Sequence, residues 1–244
     1  MFEASNEILL FQQNKASLKG RDFVDIGCAT GELYRYMNRY QRDFHYRGFD
    51  VSAPAIRRAK EKYPKGSFFV CDEDLASVAK ESPSPAVVFA RDVVHHQPDP
   101  FAFVAKLLAI TGEVALLRFP TRDHGETLLD PEMSCQWHFG HWVPYIVPNV
   151  DDLVERITGS ANVKKLFIYK HYQQLGGLNN RFLQKELYIP ETGTALSAVY
   201  VELADEPVPD PQIVVRDHRE PTPRPTFRGL LSRGLRRARR SMRR

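Results

Sequence analysis

The first half of the chain alternates between two apolar periods. "DFVDIG" (Asp22–Gly27) is a short apolar run, interrupted by Asp25, that reads as a buried strand, and "ELYRYMNRY" after it spaces its apolar side chains three and four apart, as one face of a helix does. The pattern repeats. "FHYRGFD" predicts a second strand, and "SAPAIRRAKEKYP" a helix capped by Ser52, with Pro54 in its first turn and Pro64 past its end. "SFFVCD" predicts a third strand, "PAVVFARDVV" a fourth with a helix over "DPFAFVAKLLAI" behind it, and "GEVALLRFP" a fifth. Strands separated by single helices imply right-handed crossovers and a doubly wound, Rossmann-like α/β sheet that is mostly parallel.

After Pro120 the alternation stops. Residues 121–148 are rich in His, Trp, Pro and acids, show no clear period, and are expected to form a substrate lid. "VDDLVERITG" has helical spacing. "VKKLFIYKHY" and "ALSAVYVELA" are strand-like with no helix of the usual length between them, which predicts an antiparallel pair, and "ELYIP" is expected to add a short strand. One domain is expected over residues 1–204, then an extended Pro-rich linker over 205–226, then a basic amphipathic tail over 227–244.

Strand ends are where ligands sit in such sheets, so the turn after the first strand bears on function. A phosphate-binding GxxxxGK[ST] loop is absent there. The dinucleotide pattern GxGxxG, begun at Gly27, fails at Ala29 and again at Glu32. What remains is Asp25-x-Gly27-x-Ala29-x-Gly31. Asp50 ends the second strand 19 residues after Gly31, where a carboxylate can accept from both vicinal hydroxyls of a ribose. Asp72 ends the third strand in "FFVCDEDL", placed either to meet a ligand or to cap the next helix.

Composition narrows the class. The chain has 244 residues, 43% of them apolar, enough to bury a sizeable core. Cys28, Cys71 and Cys135 are widely spaced and form no CxxC pair, which predicts a reducing, cytoplasmic setting without disulfides or a zinc site. No basic-then-apolar leader opens the chain and no run is long enough to span a bilayer. The net charge of +4 is unevenly spread: residues 217–244 hold ten arginines against Asp217 and Glu220, leaving a net −4 on residues 1–216.

"VDIGCATG" resembles the first motif of the class I S-adenosylmethionine-dependent methyltransferases, an acid followed by GxGxG, with Ala29 in place of the middle glycine. "FDVSAPAIRRAKEKYP" resembles the second motif of that family, and "FARDVVHHQPDP" the fourth motif of its small-molecule branch. The resemblance runs from Asp22 to about Pro120. It implies a seven-stranded sheet with an antiparallel last strand, and S-adenosylmethionine as cofactor. It also implies that Asp25 lies near the amino-acid end of the cofactor, with Gly27, Cys28, Ala29 and Gly31 passing backbone beneath it. Asp50 and Val51 would hold the ribose, Cys71 and Asp72 the adenine, and Ala90, Arg91 and Asp92 would border the methionine part. The Asn/Asp-Pro-Pro-Tyr/Phe segment of base- and amide-methylating relatives is replaced here by Ala90-Arg91-Asp92-Val93, which favours an oxygen or an unconjugated amine on a small molecule or glycan.

Methyl transfer to oxygen needs positioning and a base, for which histidine suits neutral pH. His95 and His96, just past the fourth strand, are the candidate catalytic residues. In "CQWHFGHWVPY", Trp137, Trp142 and Tyr145 are expected to line an acceptor wall, and His138 or His141 to place a hydroxyl. The two histidines are three apart with no cysteine pair, which is not a zinc pattern. In the tail, Phe227, Leu231, Leu235, Ala238 and Met242 share a helical face among arginines, as in helices that lie on anionic membranes. The expected activity is methylation of a small-molecule or saccharide hydroxyl, the acceptor lipid-linked in one version. The enzyme would then be cytoplasmic and peripheral to the inner face of the membrane. RNA or tRNA methylation guided by the tail, and a non-catalytic cofactor-binding regulator, stand beside it. Nucleic acid ranks below the membrane because the body, whose charge is negative, shows no aromatic–basic interleaving of an RNA-reading fold.

Overall fold

The computed structural model of the protein describes residues 20–40, 44–138, 140–188 and 193–217. Residues 1–19 and the tail at 227–244 lie outside the described residues. So do positions 218–226 of the expected linker.

Eight strands form the main sheet. The first five are β1 (Asp22–Ile26), β2 (His45–Asp50), β3 (Ser67–Val70), β4 (Val87–Arg91) and β5 (Val114–Arg122). Between them run helices α1 (Glu32–Tyr40), α2 (Ala53–Lys62), α3 (Ala76–Glu81) and α4 (Pro100–Ile110). A hairpin, β6 (Cys135–His138) and β7 (His141–Pro144), precedes α5 (Val150–Ser160) and β8 (Val163–Tyr172). Then come β9 (Arg181–Phe182), β10 (Thr194–Leu203) and β11 (Gln212–Asp217). The order across the main sheet is β11-β8-β10-β5-β4-β1-β2-β3. Only β10 runs against its neighbours, pairing antiparallel with both β5 and β8.

Local chemistry sets the helix starts. Ser52 Oγ accepts from Ala55 N at 3.3 Å ahead of α2, Asp99 accepts from Phe101 N and Ala102 N at 3.0 Å ahead of α4, and Asn149 accepts from Asp151 N at 2.8 Å ahead of α5. β4 sits mid-sheet with Val87, Val88, Phe89 and Ala90 all buried, covered on both faces as a parallel strand must be. One core layer gathers α4, α5 and the β4–β5 faces around Leu107, Leu117 and Phe119; the other gathers α1 and α2 around Phe23, Met37 and Tyr46.

From β1 the chain steps outward to β2 and β3, then returns to place β4 on the other side of β1. That reversal opens a crevice at the carboxyl end of β1, beside the glycine turn.

The expected fold class holds, with three differences. The sheet has an eighth strand, because β11 pairs in parallel with β8 from Gln212↔Lys165 to Asp217↔Lys170. The globular unit therefore continues to Asp217 and the linker expected at 205–226 is interrupted; "QIVVRD" is β-branched enough to join an open edge. In "ELYIP", the described residues 186–188 belong to a 3₁₀ turn over Lys185–Tyr188 that buries Leu187, in place of the expected strand, and positions 189 and 190 lie outside the described residues. The segment expected to form a lid is not irregular throughout, since its strands β6 and β7 form a second, three-stranded sheet with β9.

Candidate active site

The turn after β1 is pinned to its neighbour. Gly27 N and Cys28 N both donate to Phe49 O, at 2.7 and 3.0 Å, and Gly31 N closes the turn on Cys28 O at 2.9 Å. Gly27 and Gly31 take φ of +74° and +82°, and a Cβ on Gly27 would lie 2.3 Å from Val93 Cγ2. No larger residue fits there, so the backbone itself forms the floor. Ala29 also has positive φ, 48°. Its N–H donates to Asp50 Oδ2 at 2.9 Å, and Ser52 N donates to Asp50 Oδ1 at 2.8 Å. Each carboxylate oxygen thus keeps a lone pair for a further donor.

Asp25 is buried at 3% exposure and accepts from the Tyr46 hydroxyl at 2.5 Å. Burial pushes its carboxyl up to about 7; the Tyr46 bond opposes that, and the charge of Asp50 adds to it. Val51 is 63% exposed, and Val70, which pairs with Asp50, is 50% exposed. Two bare valines beside the ribose-type acid leave an apolar shelf suited to a flat ring. Val51 was expected at this edge; Val70 was missed, although a valine ending a strand next to such an acid is a readable signal.

Other residues expected at the cofactor have their side chains engaged within the protein. Cys28 and Cys71 are buried free thiols, both pushed up by desolvation. The Ala90 methyl is buried in the core. Asp72 turns its carboxylate to Ser77 N at 3.2 and 3.3 Å, holding the start of α3. Asp92, at φ 58°, pairs with Arg118 Nη1 at 3.1 Å and Arg91 Nε at 3.5 Å.

Past β4, a 3₁₀ turn over Val94–His96 carries the two histidines. They differ in access. His95 is buried at 5% exposure, its ring 4.0 Å from His96 and edge-on to Tyr145 at 4.8 Å, and its Nδ1 has no hydrogen-bond partner. His96 is half-buried, and its Nδ1 lies 2.8 Å from Pro144 O. A carbonyl only accepts, so Nδ1 carries the proton and Nε2 keeps its lone pair. Burial lowers the pKa of both rings, that of His95 well below the usual value; for His96 the Pro144 bond partly offsets burial.

The hairpin brings the distant lid residues to this turn. His138 stacks on His96 at 5.8 Å, Tyr145 packs on both histidines, and Ile146 N donates to His95 O at 2.8 Å. His141 pairs with His138 across the hairpin, and both are exposed. Trp137 and Trp142 do not join: they pair with each other on the outer face, 47% and 52% exposed. Trp137 and Trp142, expected to line an acceptor wall, therefore do not flank these histidines, because the strand alternation that turns His138 toward His96 turns Trp137 to the other face. Arg181 was not foreseen. Its guanidinium lies 4.4 Å over the Tyr145 ring and donates to Leu175 O at 2.9 Å, from a strand of two residues with no local motif. Among the described residues no three His, Cys, Asp or Glu side chains converge as metal ligands would.

The model of the methyltransferase domain family matches residues 4–157, well over half of the chain. The chain belongs to the class I S-adenosylmethionine-dependent methyltransferase family. A ubiquinone biosynthesis O-methyltransferase of Cupriavidus pinatubonensis is 35% identical over 92 residues, a match spanning 36% of either protein and so only about a third of that relative's length. Solved structures share the fold at low identity. The N-terminal domain of EvdMO1, crystallised in the presence of SAH and D-fucose, aligns with a TM-score of 0.57 at 12% identity, covering 81% of each chain. A putative S-adenosylmethionine-dependent methyltransferase from Listeria monocytogenes aligns at 0.53 and 12% identity, over 82% of this chain and 98% of that one. The CurJ carbon methyltransferase aligns at 0.51 and 13% identity, over 81% of this chain and 52% of that one.

The methyltransferase's own residues fit the cofactor. The glycine floor, the free lone pairs of Asp50, the valine shelf and the buried acid Asp25 match in turn a close approach, ribose hydroxyls, a flat base and a cationic amino-acid end. No phosphate-gripping lysine stands in the glycine turn, and this cofactor carries no phosphate.

Proposed function

We propose that this methyltransferase methylates a hydroxyl oxygen of a small molecule, and that the hydroxyl is phenolic or enolic. The observation that carries the reading is the bond from His96 Nδ1 to Pro144 O, which leaves Nε2 as a neutral base at the carboxyl edge of the sheet. S-adenosylmethionine, when bound, supplies a methyl group already activated on a sulfonium. His96 accepts the proton that the acceptor oxygen gives up. His138, stacked on His96, and Pro144 keep the ring oriented, while Tyr145 and the buried His95 close its inner side.

Base strength chooses the acceptor. With its pKa below 6.5, His96 takes a proton from a phenol of pKa near 10 at a cost of about 5 kcal/mol or more. An aliphatic hydroxyl as weakly acidic as water raises that to about 12 kcal/mol. A saccharide hydroxyl is accordingly the poorer match. The O-methyl chemistry named for the Cupriavidus relative supports oxygen over nitrogen.

The test is a panel of catechols, quinols, phenolic acids, simple sugars and amines offered with methyl-labelled S-adenosylmethionine. Phenolic turnover is expected. His96→Gln should lower kcat/KM by on the order of 100-fold while leaving cofactor affinity unchanged. The sign of the pH effect follows from the lowered pKa: the base is lost as pH falls through a value below 6.5, so wild type shows an acid limb there and the variant does not. A methylated amine or sugar as the preferred product would overturn the reading. Tight cofactor binding without turnover of any acceptor would favour a regulatory protein.

A further inference from the structure

The three-stranded sheet of the lid has two faces, and register separates them. Gln136 opposite Arg181, and His138 opposite His141, share one face. His138 stacks on His96 and Arg181 lies over Tyr145, so that face turns toward the catalytic edge. Cys135 opposite Phe182, and Trp137 opposite Trp142, share the other face. There Trp137, Trp142 and Phe182 are each about half exposed, and Leu129, Met133 and Leu178 in the adjoining loops are equally bare. The chain's only two tryptophans stand in this patch, their rings 5.6 Å apart. Clustered exposed apolar side chains of this size mark an interaction site.

A second feature reaches the same edge. β11 runs parallel to β8, and both β8 and β5 run antiparallel to β10, so β11 ends at Asp217 on the edge that carries His95 and His96. The 27 residues that follow hold ten arginines and a single acid, Glu220. Just before Met133 the chain carries two acids, Asp130 and Glu132.

We propose that this outer face docks on an anionic lipid surface, with Trp137, Trp142 and Phe182 entering the interface and the arginine-rich C-terminal segment supplying the attraction. Indole rings favour the boundary between hydrocarbon and headgroup, and basic side chains favour anionic headgroups. Neither signal alone holds a protein firmly; together they do. Docking is peripheral, for among the described residues no helix is long and apolar enough to cross a membrane. The catalytic face of the same thin sheet then lies close to the lipid and fits an acceptor carried there. That last consequence rests on the methyltransferase reading; the docking itself does not.

Because both tryptophans lie in the patch, intrinsic emission reports its burial directly. The full chain is mixed with phosphatidylcholine vesicles, with and without phosphatidylglycerol, and followed by sedimentation and tryptophan emission. Binding to the anionic vesicles with a blue shift is expected. A Trp137→Ala, Trp142→Ala variant should bind them at least about tenfold more weakly, with its cofactor titration unchanged. A chain ending at Asp217 should lose its preference for anionic lipid. Sedimentation with unchanged emission would overturn the proposal, since arginines alone would then be at work. A blue shift that grows with protein concentration and needs no vesicles would overturn it in favour of a second copy covering the face. Binding of a mixed-sequence RNA with vesicles ignored would overturn it in favour of nucleic acid. Calorimetry with S-adenosylmethionine on the same samples keeps the two readings apart: lost lipid binding with intact cofactor binding sinks only the docking.

Discussion

The backbone N–H of Ala29 donates to Asp50 Oδ2 at 2.9 Å, and Ala29 makes that bond at φ 48°, in the left-handed region. With Ser52 N on Oδ1, Asp50 ties the glycine turn to the end of β2 before any ligand arrives. An L-residue at positive φ costs roughly 1 kcal/mol. Ala29→Gly removes that strain while loosening the unfolded chain, so urea unfolding should show a gain of up to about 1 kcal/mol. Affinity for S-adenosylmethionine should stay within about threefold of wild type, because the turn is already formed. A clear loss of stability in the variant would contradict this account of the turn.

Asp25 makes stability and cofactor uptake depend on pH. Its carboxyl is raised from 3.8 to about 7, chiefly by burial. A raised acid keeps its proton in the folded chain after the unfolded chain has lost it. Stability therefore falls as pH rises between about 4 and 7, by on the order of 4 kcal/mol in total, and does not change further above 7 on this account. Asp25→Asn should flatten that slope. A cofactor ammonium beside Asp25 favours the carboxylate, so binding near pH 6 should expel roughly one proton, and near pH 9 none. Calorimetry in two buffers of different ionisation enthalpy counts it. No proton released at pH 6 would place Asp25 away from the amino-acid end of the cofactor.

Arg122 ties the segment that follows β5 to residues Gln184 and Glu186. Its buried guanidinium donates to His124 O at 2.6 Å, Glu126 O at 3.2 Å and Gln184 Oε1 at 2.6 Å, and pairs with Glu186 at 3.4 Å. Arg122→Met keeps the volume but strands these acceptors, at a cost of about 2–4 kcal/mol. Limited proteolysis should then cut residues 123–130 faster. Arg122→Lys should not restore protection, since one ammonium cannot span the directions the planar fork reaches. A lysine variant as resistant as wild type would mean that charge alone holds the lid.

The glycine turn was legible because everything that makes it lies within a few residues: Asp25, Gly27 and Gly31 at fixed spacing, then Asp50 at the end of the next strand. The sign of φ at Ala29 was not, because it is set by a partner 21 residues away. Both histidines were visible as a pair, yet the hydrogen bond that fixes the His96 ring comes from Pro144, 48 residues away. Arg181 had no signal at all; a lone arginine acquires meaning only from the Tyr145 ring beneath it.

Periods of two and 3.6 are properties of adjacent residues, so the α/β class, the helix caps and the acids at strand ends were determined by the chain's own order. The direction a lid residue faces is not such a property. Trp137 and His138 are neighbours in sequence and lie on opposite faces because the pairing of β6 with β7 sets the alternation and His96 receives one side of it. Only the sheet order placed Asp217, the last residue of β11, on the edge that carries the histidines, so that the arginine-rich end of the chain departs from the side where the chemistry is expected.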